Sequence, residues 1–168
     1  MQLVYKVIVS CLPDVHLIKL LRLVQNCFPN KYNLDINDLR LFNYAIVSQQ
    51  DGQFVGVLFV KNIFDNVHEV QNFCVLPRFR NNGLGSELIR CCQSELPKEC
   101  TIGIYIDSVY GNENLIPEMK SKLADRLICL FERHEFHVSE HEDVTLQEQK
   151  STNVYLKWNQ TALSDWEL

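Results

Sequence analysis

HEVQNFCVLPRFRNNGLGSELIRCCQSEL, residues 68–96, is the stretch from which the rest of the chain can be placed. Val67 to Val75 reads as a strand, followed by a short turn holding Pro77, Arg78 and Arg80 and a loop Arg80-Asn81-Asn82-Gly83-Leu84-Gly85. Apolar residues at Leu84, Leu88, Cys91/Cys92 and Leu96 then predict a helix, because they share one helical face. Arg80, Gly83 and Gly85 therefore stand where a strand hands the chain to a helix N-terminus, whose first N–H groups have no intrahelical partners. Glycines let those groups approach a ligand without an intervening Cβ. With the positive end of the helix dipole and an arginine, they make an anion site suited to a phosphate or pyrophosphate. Alone, such a loop also reads as an ordinary turn. It lacks the Gly-Lys-Ser/Thr ending of a P-loop, and no Gly-x-Gly-x-x-Gly occurs.

The whole stretch is more specific than its loop. Val75-x-Pro77-x-x-Arg80-x-x-Gly83-x-Gly85, between a strand and an amphipathic helix, resembles the acetyl-CoA signature of the GNAT N-acetyltransferase superfamily. That signature is a V-x-P segment followed by Arg/Gln-x-x-Gly-x-Gly/Ala, and every fixed position is met. The resemblance implies that Arg80, Asn81, Asn82, Gly83, Leu84, Gly85 and Ser86 face the CoA pyrophosphate, while Cys74, Val75 and Leu76 line the pantetheine arm. A weaker likeness lies in Leu130 to Phe136, similar to the family's F-Y-E-K-L-G-F segment.

The 168 residues suit one domain, 1–168, with 46% hydrophobic and 22% charged residues, as expected of a globular chain. No apolar run reaches the ~20 residues that span a bilayer, and Met1 to Cys11 lacks signal-peptide features. A soluble cytoplasmic protein is expected. A formal charge of −5 argues against nucleic-acid binding, which favours a basic face. The seven cysteines contain no Cys-x-x-Cys and are expected to be reduced and mostly buried, with Cys91 and Cys92 unable both to face the core. His134, His137 and His141 share neither a helical nor a strand face, so no metal is expected.

Leu3 to Cys11 reads as a first strand, and Pro13-Asp14 opens a helix with Leu17, Leu20/Leu21, Val24 and Cys27/Phe28 on its apolar face. A short helix over Asp35 to Phe42 has Asp35 as its cap. Asn43 to Gln49 and Phe54 to Val60 form a hairpin across Asp51-Gly52. Beyond the quoted stretch, Thr101 to Asp107 is a strand parallel to the one before the loop. Ser108 to Pro117 is a polar loop, and a helix follows with Met119, Leu123, Leu127 and Leu130 on one face. Phe136 to His141 and Asn153 to Trp158 make an antiparallel pair joined by the acidic run from Ser139 to Glu148, and a polar tail follows from Gln160. This order matches an α/β (α+β), GNAT-like fold: a mixed, mostly antiparallel sheet of about six to seven strands with about four helices. The family's frequent dimerisation through its C-terminal strands, and the edge character of NVYLKW, make a homodimer possible.

An amine attacks a thioester only when neutral, and with a reference pKa of about 10.4 only about one lysine-like amine in a thousand is neutral at pH 7. The reaction therefore needs a base, a polarised carbonyl and a proton for the departing thiolate. Glu69 is the base candidate: it lies six residues before Val75, and residues six apart on a strand share a face. An exposed glutamate at a strand start is the alternative. His68 points the other way. The Val75 or Leu76 N–H is the donor considered for the carbonyl. The family's usual tyrosine acid falls at Phe131, which has no proton to give. Tyr110, Tyr105, Cys129 or solvent then substitutes, with Tyr110 as candidate, or efficient catalysis has been lost. The expected function is transfer of acetyl from acetyl-CoA to a primary amine of a small molecule or protein. The alternative is a CoA-binding sensor or interaction module with little or no turnover.

Overall fold

The computed structural model of the chain describes residues 1–28, 34–97, 99–106, 117–139 and 154–159. Its strands are β1 (Gln2–Ile8), β2 (Tyr44–Gln50), β3 (Gln53–Phe64), β4 (Val67–Val75), β5 (Thr101–Ile106), β6 (His137–Val138) and β7 (Val154–Asn159). The helices are α1 (Asp14–Cys27), α2 (Ile36–Leu39), α3 (Leu84–Glu95) and α4 (Pro117–Glu132). Seven strands form one sheet in the order β1-β2-β3-β4-β5-β7-β6. Among the described residues only β4 and β5 pair in parallel, and α3 connects them. Among the described residues no helix is long and apolar enough to cross a membrane.

The local chemistry accounts for most boundaries. Asp51 and Gly52 both take left-handed backbone (φ 49° and 81°), which a two-residue hairpin between β2 and β3 requires. Asp35 caps α2: its carboxylate accepts from the Asn37 and Asp38 amides at 2.7 and 3.0 Å, while Asp38 accepts from the Asp35 amide at 2.8 Å. Those bonds hold the Asp35 carboxyl below its usual range. β1 stops at Ile8, short of the expected Cys11, because Val9–Cys11 tightens into a 3-10 turn. β3 runs on to Phe64, beyond the expected Val60.

The sheet separates two apolar layers. On one face α3 and α4 cover Val70, Phe73, Val75, Ile102, Ile104 and Leu156. On the other, Leu17, Leu20 and Val24 of α1 pack with Val57, Phe59 and Cys74. In α4 the inward residues are Ala124, Leu127, Ile128 and Phe131, whereas Leu123, expected on the apolar face, is exposed. Two corrections concern the strands and cysteines, and one expectation holds. β7 is no free edge, since His137 and Val138 of β6 pair with its Lys157 and Leu156. Cys11 and Cys129 are exposed rather than buried. Cys92 is buried and Cys91 half-buried, as their adjacency requires. The polar loop after β5, the acidic run from residue 140 and the tail from Gln160 lie outside the described residues.

Candidate functional site

β4 has two neighbours over its first half and one over its second. Val67–Val70 pair with Thr101–Ile104, and the parallel register ends at the Val70–Ile104 rung. On its other side β4 stays with β3 up to Val75 opposite Gly56, and the Leu76 amide donates to the Val55 carbonyl at 2.9 Å. Antiparallel neighbours alternate between hydrogen-bonded and non-bonded rungs. Since Leu76 bonds to β3, the main chain of Cys74 also turns to β3. That of Phe73 and Val75 turns to the side β5 has left. A slot therefore opens between the strands, edged on β4 by main-chain groups. Of the three residues expected along the arm, Cys74 and Leu76 have theirs committed to β3, which also removes the Leu76 N–H as a donor to a thioester carbonyl. Val75 faces the slot, and Phe73 joins it.

The slot leads to the loop. Pro77–Phe79 makes one 3-10 turn, Asn81 and Gly83 take left-handed backbone (φ 64° and 80°), and α3 starts at Leu84. The first α3 bond is Glu87 N–H to the Gly83 carbonyl at 3.1 Å, and Gly83 gives no side-chain cap. Among the described residues, no carbonyl accepts from the amides of residues 81–86. These donors gather at the positive end of a twelve-residue helix. Leu84 is buried and anchors the turn, Asn81 and Asn82 are exposed, and Ser86 is half-buried.

The two glycines do different work. A Cβ at Gly83 would meet nothing within 4 Å, so its requirement is the positive φ. A Cβ at Gly85 would lie 3.2 Å from Phe73 Cζ and 3.4 Å from Leu130 Cδ2. Gly85 thus lets α3 close on β4 and α4, a packing role the sequence reading had not separated from ligand approach.

Arg80 folds back, its Nε–H donating to the Val75 carbonyl at 2.8 Å. The guanidinium also lies beside Cys27 and Cys74. A hydrogen bond from Cys74 and the Arg80 charge lower the Cys27 thiol, while its bond to Cys27 and full burial raise that of Cys74. Arg80 therefore brings positive charge to the mouth of the slot.

Glu69 lies on the face of the sheet opposite Val70, between Lys61 of β3 and Gly103 of β5. Gln71 Nε2 donates to its Oε1 at 2.9 Å. Its expected alignment with Val75 does not hold. The β3–β4 register steps from Phe59–Asn72 to Val60–Val70, leaving Gln71 as an extra residue. Such a bulge inverts the alternation beyond it. Glu69 consequently shares a face with Cys74, and Val75 faces the α3–α4 core. His68 points into that core, its ring 6.0 Å from that of Tyr44. Burial and the nearby Lys6 charge lower its pKa, and Nδ1 has no hydrogen-bond partner.

Phe131 is fully buried, edge-on to Phe73 (5.5 Å between centroids) and Phe136 (5.0 Å). Cys129, considered as its substitute, is exposed on the outer side of α4. Tyr110 lies outside the described residues.

The sequence pattern of the Acetyltransferase (GNAT) family matches residues 4–120, well over half the chain. The chain belongs to that family. No curated protein gives a sequence match. Solved structures share the fold at low identity. An acyl-CoA N-acyltransferase from Pseudomonas aeruginosa is 14% identical with a TM-score of 0.66, over 94% of this chain and 99% of the other. The ribosomal-protein-S18-alanine N-acetyltransferase of Escherichia coli gives 13% and 0.64, over 94% and 92%. Arabidopsis thaliana Naa50, solved with the bisubstrate analogue CoA-Ac-MVNAL, gives 16% and 0.63, over 93% and 98%. As a GNAT acyltransferase the chain takes an acyl-CoA co-substrate and an acceptor.

Proposed function

We propose that the chain, as one domain, transfers acetyl from acetyl-CoA directly to a primary amine in a ternary complex. The observation carrying this reading is the parting of β4 from β5 beyond the Val70–Ile104 rung, which leads to the amides of residues 81–86, to which no carbonyl among the described residues is bonded. An extended pantetheine arm can pair with Phe73 and Val75 as a missing strand would, and its pyrophosphate then meets the loop amides, Arg80 and the α3 dipole. Because the Val75 carbonyl already accepts from Arg80, the Val75 N–H and the Phe73 main chain are the groups open to the arm. The reacting carbon then comes to rest near the closed end of the slot, on whose open face Glu69 can take a proton from the acceptor, directly or through water.

Two of the similar structures are a ribosomal-protein-S18-alanine N-acetyltransferase and a protein bound to the bisubstrate analogue CoA-Ac-MVNAL. Peptide N-termini therefore belong in the acceptor panel beside polyamines, amino sugars, amino acids and lysine peptides. Thermal unfolding with acetyl-CoA, CoA and dephospho-CoA tests the first half of the reading. A ligand at a hundred times its Kd that binds only the native state stabilises by about 2.7 kcal/mol, and no shift with any of the three overturns CoA binding. Acetyl-CoA consumption across the panel tests the second half. Binding without consumption favours a CoA-binding module, a reading to which the buried Phe131 lends support.

A further inference from the structure

The proton that Phe131 cannot give has another source on the opposite face of the sheet. Tyr155 of β7 stands opposite Tyr105 of β5, and its ring reaches diagonally back along β5 to Gly103. A Cβ on Gly103 would clash with the Tyr155 hydroxyl and with Cζ and Cε2 of its ring. The phenol therefore lies directly over a glycine Cα, a position any other residue at 103 would block. Gly103 pairs with Glu69 of β4, and the next rung, Val70–Ile104, is the last before the strands part. The hydroxyl thus borders the closed end of the slot on the face that carries Glu69. Its ring is buried, with the Lys157 ammonium 5.6 Å from its centroid.

Resting on the acetyl-transfer reading above, we infer that Tyr155 is the proton donor to the departing CoA thiolate. The amine nitrogen bonds to the thioester carbon, the C–S bond breaks, and its electron pair stays on sulfur. Sulfur takes the Tyr155 hydroxyl proton. The phenolate recovers a proton from the one the amine released through Glu69 and surrounding water. Gly103 is a positioning residue, acting through the space it leaves. On the rung that carries Glu69 and Gly103, the other charged or titratable groups are Lys61 of β3, Lys157 of β7 and His137 of β6, and farther along the same face lie Cys74, Cys27 and the Arg80 guanidinium.

The test compares Tyr155→Phe and Gly103→Ala with the unaltered chain. An alanine methyl at 103 would collide with the hydroxyl, Cζ and Cε2 of a buried ring, so the ring must move, while Tyr155→Phe removes the hydroxyl alone. CoA binding is measured first, by thermal shift. Both variants should bind CoA as the unaltered chain does, yet lose kcat on the best amine by about 10²–10⁴-fold, the usual worth of a positioned acid, with KM for acetyl-CoA little changed. The alkaline limb of the pH–kcat profile should disappear in Tyr155→Phe. The thiol of bound CoA, followed by ultraviolet absorbance and needing no acceptor, should ionise at higher pH in both variants. Equal kcat, or equal thiol ionisation where no amine is turned over, overturns the assignment. Failure of the unaltered chain to bind CoA removes the acetyl-transfer reading instead, and this inference with it.

Discussion

On the α3–α4 face, β4 and β5 lie under Phe131, which is fully buried and packed edge-on to Phe73 and Phe136. On the other face the same rungs carry the Glu69 carboxylate, the Gln71 amide bonded to it, and the Tyr155 hydroxyl. One side is a sealed aromatic layer and the other holds the proposed base and acid, although a single strand supplies residues to both. The difference teaches that Phe131 need not signal lost chemistry. A proton donor is required at the end of the slot, and either face can supply it. The Gln71 bulge lets β4 serve both sides, since it puts Val70, Phe73 and Val75 in the core while turning Glu69 outward.

Breaking the sealed face should have the largest effect on stability. Phe131→Ala removes the centre of the aromatic layer and should cost about 3–5 kcal/mol, as large core truncations do, readable by urea unfolding. Phe131→Tyr sharpens the contrast: a hydroxyl buried without a partner costs about 1–3 kcal/mol, and kcat should not rise. A clear gain in kcat would return the acid to the α3–α4 face.

Breaking the open face should spare the fold. Glu69→Gln is expected to lower kcat by about 10²–10⁴-fold, with CoA-induced stabilisation intact. Unchanged kcat would make Glu69 the exposed strand-start glutamate of the alternative reading.

Gly83→Val acts between the faces, at the mouth of the slot. Left-handed backbone costs an ordinary residue roughly 1–2 kcal/mol, more for a β-branched one, so the loop should rearrange and the CoA-dependent thermal shift vanish. Normal CoA affinity in that variant would remove the loop from the binding site.

The smallest effect is a pH dependence of the sealed side. Burial, then Lys6, holds the His68 pKa below its ordinary 6.5. The unfolded chain therefore takes up a proton that the folded chain resists. The stability from neutral His68 is full above about pH 6.5 and falls as pH drops through the unfolded value towards the folded one. The midpoint of thermal unfolding should fall with acidification, and His68→Asn should flatten part of that fall. An identical slope in the variant would rule His68 out as its source.

Much of this was legible in the chain because it rests on local rules. Asp51-Gly52 needs positive φ, Asp35 offers its carboxylate to the next turn, and Gly83 precedes a helix of clear apolar period. Each constraint involves neighbours a few residues apart. The family signature from Val75 to Gly85 is equally local, and with it came the fold and the acyl-CoA co-substrate. The tertiary structure decided matters that depend on which strands lie side by side. The Gln71 bulge is defined only against β3 and reversed the side on which Glu69 lies relative to Val75. The Leu76 amide was unavailable because Val55 accepts it. Gly85 proved a contact between α3, β4 and α4. Tyr155 reached Gly103, 52 positions away in sequence, diagonally across the β5–β7 register. No periodicity within either strand carries that distance, because side-chain alternation repeats every two residues whatever the neighbouring strand.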